Sequence, residues 1–164
     1  MALFYKQIRF IFFDYLPIIF LFLVALSGNS IIDLKYISIN IHYILVYYWV
    51  LRHPDLMGYG FIFLSGIIGD VIYGYPLGVL ALTLLIVASV AAYARVVTVR
   101  MTLINDWITF IPALLVANFA YFIALYFSDF SIDYLLIFKN SVFTLIFYPA
   151  LWVFFALISK LRRS

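Results

Sequence analysis

The chain is 164 residues long, 68% apolar and 21% aromatic, with a mean hydropathy of +1.19, which leaves too little polar surface to cover a water-soluble globule. Ten Lys and Arg against seven Asp give a net charge of +3 and a pI near 9.1, an excess too small to argue for a nucleic-acid partner. Cysteine is absent, which removes disulfides, thiolate metal sites and cysteine nucleophiles and leaves redox compartment open.

An all-α, polytopic membrane fold follows, with room for a single integral domain over residues 1–164. Six transmembrane helices are expected at about 10–32, 36–51, 56–73, 77–93, 103–127 and 134–158, each an apolar run set against roughly 30 Å of hydrocarbon, the second and third short. Before the first, Lys6 and Arg9 followed by a run ending Val24, Ala25, Leu26, Ser27 loosely mimic a signal peptide. Asp14 and Pro17 interrupt that run, so an uncleaved first helix is expected, with Asp14 snorkelling or paired with Arg9. The break at Gly74, Tyr75 and Pro76 reads as a turn, because one helix from 56 to 93 would run roughly 57 Å, almost twice the hydrocarbon thickness. Polar breaks at 95–100 and 128–133 separate the last three spans.

Cytoplasmic loops retain Lys and Arg. With both termini inside, Lys6, Arg9, Arg52, Arg95, Arg100, Lys160, Arg162 and Arg163 fall on the cytoplasmic side and only Lys35 and Lys139 outside. Reversal would invert that bias.

Helices in lipid associate where small residues let backbones approach. Such seams are expected at Ala113, Ala117, Ala120 and Ala124 on the fifth helix, at Gly58, Ser65 and Gly69 on the third, and at Gly78, Ala81, Ala88 and Ala92 on the fourth. Association within the chain is preferred over a binding surface for each. Gly66 lies beside the third-helix stripe and Asp70 one turn above it, which turns the carboxylate toward neighbouring helices or a cavity. Three roles for Asp70 are ranked in order: capping the turn at Gly74 to Gly78, lining a polar pocket, and acting as an acid or base. The last is disfavoured because tyrosine is the only other ionisable residue type between residues 56 and 93.

His42 and His53 lie eleven residues apart with no Glu or Cys nearby, so neither is expected to hold a metal. His53 belongs with Arg52, Pro54 and Asp55 to a cytoplasmic turn in which Asp55 caps the third helix. Asn118 is expected to hydrogen-bond across a seam, and the aromatic residues to be mainly lipid-facing bulk and interfacial anchors. There is neither a G-x-S-x-G context nor a phosphate-binding glycine loop. No cofactor is implied.

The run YYWVLRHPDLMGYGFIFLSGIIGDVIYGYPLGVLALTLLIVA, residues 47 to 88, resembles the central region of the MreD family of bacterial rod shape-determining membrane proteins. The residues carrying the likeness are Arg52, Pro54, Asp55, Gly58, Gly60, Gly66, Asp70, Gly74, Pro76, Leu77 and Gly78. About a quarter of the chain is covered closely. The resemblance implies a non-enzymatic inner-membrane scaffold in the complex that elongates the peptidoglycan wall, bound to MreC. Around that pair it places the MreB filament, an elongation glycosyltransferase and a transpeptidase. It also implies a fold similar to the substrate-binding subunits of energy-coupling-factor transporters. The helix seams and Asp70 lead us to expect a rigid bundle whose surface holds the MreC transmembrane helix, with Gly69 to Gly78 shaping an outward-facing cavity. The rival expectation is a small-ligand-binding subunit of such a transporter. Against it, the first helix offers Ala25 without an alanine four residues away, where those subunits share an Ala-x-x-x-Ala docking face.

Overall fold

A computed structural model describes residues 2–27, 39–98, 102–128 and 133–163, with side chains between residues 15 and 160 of those segments. Among the described residues the fold is all helical. Its α-helices are α1 (Ala2–Ser27), α2 (Ile41–Arg52), α3 (Tyr59–Tyr73), α4 (Val79–Val97), α5 (Leu103–Phe127) and α6 (Tyr134–Arg163), and Pro54–Leu56 forms a 3-10 turn between α2 and α3. Among the residues with described side chains, α4, α5 and Tyr134–Lys160 of α6 are long and apolar enough to cross a membrane, whereas the Tyr15–Ser27 part of α1 and all of α3 are shorter apolar stretches.

Where the boundaries depart from expectation, helix propensity and turn chemistry outrun hydropathy. The first helix begins at Ala2, not near residue 10, and the last continues to Arg163, not 158, because Lys and Arg are good helix formers that lengthen a helix past its apolar run. The fourth likewise runs on through Arg95 to Val97. The third starts at Tyr59 instead of 56, since Pro54 opens the 3-10 turn and Gly58 is the extended N-cap residue of α3. Residues 36–38 of the expected second span lie outside the described residues, and Ile39 and Asn40 precede the helix.

At 12 residues, α2 is roughly 18 Å long. Its sequence, IHYILVYYWVLR, has no polar face, and every residue from His42 to Leu51 is buried, as expected of a helix that is apolar all round. It is the axis of the molecule. α1, α4 and α6 pack directly on it, and α1 with α3, α3 with α4, α4 with α5 and α5 with α6 make the surrounding pairs. Edge-to-face rings of Phe20 and Phe155, 6.0 Å apart, join α1 to α6. Tyr47, Tyr48, Trp49, Phe110, Tyr148 and Phe155 belong to the core; they are the exceptions among aromatics that are otherwise mostly at the surface, such as Tyr59, Phe63, Tyr93, Phe119 and Tyr126. His42 Nε2 donates to the Leu21 carbonyl at 3.2 Å and ties the axis to α1.

α3 and α4 meet most closely at Gly66, where a Cβ would collide with the Ala81 backbone. Gly69 faces Leu80 one turn on, and Ser65 is buried beside them. Gly58, by contrast, is exposed at the start of α3 and has no part in the seam. On α5, Ala113 and Ala117 are fully buried while Ala120 and Ala124 are half-buried. Asn118 Nδ2 donates to Ser141 Oγ at 2.9 Å, joining α5 to α6. Pro149 inside α6 has no N–H to offer the carbonyl four residues back. That carbonyl, of Leu145, accepts instead from Trp107 Nε1 on α5 at 3.0 Å, the kind of substitution that lets proline sit inside a membrane helix.

Candidate functional site

The residues singled out in the sequence separate into two groups at opposite ends of α3, a 15-residue helix roughly 22 Å long. Arg52, Pro54 and Asp55 stand at its start. Asp70, Gly74, Pro76 and Gly78 stand at its end, and Gly66 and Gly69 lie on the face between.

At the far end, Asp70 serves both sides of the turn. Its backbone carbonyl accepts from the Tyr75 N–H at 2.9 Å and also from Gly74, the left-handed residue (φ 69°) that ends α3. This is a Schellman-type ending, and a glycine tolerates that φ without the strain a Cβ would bring. The side chain then starts the next helix: Oδ2 accepts from the Gly78 N–H and Oδ1 from the Leu80 N–H, both at 2.8 Å. Gly78 is the N-cap residue of α4, so a carboxylate supplied from the preceding helix satisfies N–H groups that would otherwise be orphaned and sits at the positive end of the α4 dipole. The carboxylate is fully buried. Of the three roles weighed for Asp70, capping is the one this geometry performs, with both carboxyl oxygens engaged by backbone N–H groups.

An open groove of about 430 Å³ runs beside this turn, lined by Phe63, Leu77, Leu82, Leu85, Ala124 and Ser128 together with Gly78 and Val79. Its lining is almost entirely apolar, and Asp70 is not part of it. The groove and the cap thus meet at Gly78, but the Asp70 side chain itself does not face the groove.

At the near end, Asp55 is exposed in the 3-10 turn, and the N-cap residue of α3, Gly58, receives no side-chain cap. The expected Asp55 cap is corrected accordingly: Asp55 stays exposed within the 3-10 turn that Pro54 opens, three residues before the N-cap Gly58. Arg52 reaches in the other direction, across to α5. Its Nη2 lies 2.7 Å and its Nε 3.3 Å from Asp106 Oδ2, and Trp152 Nε1 of α6 donates to the same oxygen at 2.8 Å. The guanidinium also stands over the Trp152 ring, 5.1 Å from its centroid, and over Tyr48 at 5.9 Å, so that cation–π attraction reinforces the ion pair. One turn further in, the Tyr47 hydroxyl donates to Thr109 Oγ1 at 2.7 Å.

Asp106 is the residue that sequence reasoning missed. Its signal was present: a carboxylate in the apolar opening of α5, on the side where Arg52 ends α2, and a buried charge requires a partner. His42 and His53 stand at opposite ends of the α2 segment, His53 with its ring 5.6 Å from that of Trp49. Among the described residues no group of three His, Cys, Asp or Glu could hold a metal ion. Asp14 and Arg9 lie outside the described side chains. Comparison of the chain with protein-family models, with curated proteins and with solved structures finds no match.

Proposed function

We propose that the chain is an MreD-type scaffold of the bacterial cell-wall elongation complex, crossing the inner membrane six times with both termini in the cytoplasm. In this reading it binds MreC directly and, through it, positions the MreB filament and the peptidoglycan glycosyltransferase and transpeptidase, with no catalysis of its own. The observation that carries the proposal is how the motif residues are used. Asp70, Gly74 and Gly78 build a closed, capped turn, and Gly66 lets α3 and α4 touch backbone to backbone. These residues spend their chemistry on holding two helices in one fixed geometry, which suits a scaffold. Three helices long and apolar enough to cross a membrane accord with the location, and the Lys and Arg distribution supports the orientation.

Co-expression with MreC followed by capture from detergent extracts tests the reading. Stoichiometric MreC on the wild-type chain is expected. Failure to retain it, with the chain inserted and folded, would defeat the proposal, and a small molecule co-purifying in equal amount would point instead to the transporter-subunit alternative and its ECF-like fold.

A further inference from the structure

Among the described residues, two buried side-chain atoms have no hydrogen-bond partner: Asp106 Oδ1 and the Tyr148 hydroxyl. Both residues are completely shielded, at 0% exposure. Buried carboxylate oxygens and tyrosine hydroxyls are ordinarily satisfied, so two orphans in one neighbourhood call for a common explanation. They do share a neighbourhood. Trp152, one turn after Tyr148 on α6, donates to Asp106, while the Tyr148 ring stacks at 4.5 Å on Phe110, one turn after Asp106 on α5.

The chemistry narrows what joins them. A group satisfying Asp106 Oδ1 must donate a hydrogen bond or carry positive charge. The second is disfavoured because Arg52 already neutralises this carboxylate through Oδ2, and another cation would leave uncompensated charge in a buried place. A small neutral group that donates to the carboxylate and accepts from the phenol meets both needs, and water does both. We propose that one internal water molecule binds between Asp106 Oδ1 and the Tyr148 hydroxyl, forming a hydration site at the junction of α2, α5 and α6. Arg52, whose side chain is 23% exposed, marks the end of the bundle from which the water enters.

Tyr148→Phe in the full chain tests this by reversible unfolding in mixed micelles. Deleting a hydroxyl that binds nothing leaves stability unchanged or raised, whereas deleting one that holds a bridging water lowers the folding equilibrium constant about tenfold. An experimental structure of the wild-type chain supplies the second reading, with a density peak expected roughly 2.6–3.2 Å from both oxygens. An unchanged or more stable Tyr148→Phe variant overturns the proposal. So does a direct Tyr148 to Asp106 hydrogen bond, or a peak with the short contacts of a metal ion.

Discussion

Replacing Asp70 by alanine removes the acceptor of two N–H groups at once, those of Gly78 and Leu80, each held at 2.8 Å. Hydrogen bonds to a charged group contribute about 1.5–3 kcal/mol each, and loss of an N-cap alone costs about 0.5–2 kcal/mol. Because the two bonds share one carboxylate and relaxation recovers part of the loss, a destabilisation of about 2–4 kcal/mol is expected for Asp70→Ala. Asp70→Asn separates geometry from charge. Its amide oxygen keeps one N–H while its NH₂ group faces the other donor, so the near-isosteric variant should still lose about 1.5–3 kcal/mol. Unfolding by sodium dodecyl sulfate in mixed micelles, followed by loss of helical circular dichroism, measures both. If Asp70→Asn matched wild type, or if Asp70→Ala fell within about 0.5 kcal/mol of it, the two-oxygen cap would be refuted.

Gly66→Leu should force α3 from α4, since even its Cβ has no room against the Ala81 backbone. A loss exceeding about 3 kcal/mol or failure to fold is expected, and an unperturbed unfolding curve would contradict the close approach. Asp106→Ala leaves Arg52 facing Trp152 and Tyr48 without its counter-ion, for an expected cost of about 3–5 kcal/mol, most of it recovered in the Arg52→Met, Asp106→Leu double variant. The same unfolding assay decides, and a double variant no better than the single would break the pairing argument. Trp107→Phe strands the Leu145 carbonyl and should cost about 1 kcal/mol. Adding Pro149→Ala supplies the missing backbone donor, so the Trp107 substitution should cost less in that background, as a double-mutant cycle would reveal.

The helical class and the Gly74 to Gly78 turn were legible because apolar runs and paired glycines signal them locally. So was the burial of Asp70, one turn beyond Gly66 on the α3 seam. The centrality of α2 could have been read from IHYILVYYWVLR, yet a length-based reading treats any apolar run of that size as a short span. The aromatics that depart from the surface pattern were not legible for a related reason: composition cannot distinguish a Tyr or Trp meeting lipid from one filling an axis, and Tyr47, Tyr48 and Trp49 do the latter. Asp106 escaped because its partner lies 54 positions away, and no helical or strand period connects such residues. Gly58 shows the opposite error. It shares the helical phase of Ser65, but α3 begins after it, so phase counted from the wrong end enlisted a residue outside the helix.

The shortness of α2 bears on how the protein is made. A stem of 12 residues, buried among other helices from His42 to Leu51, is too short to rest across a bilayer unaided, so a nascent chain halted before α4 to α6 emerge would hold it without its final surroundings. Biogenesis must keep this element in waiting until the later helices arrive, and ribosome-stalled intermediates ending before α4 should leave it open to proteases or to capture by insertion factors.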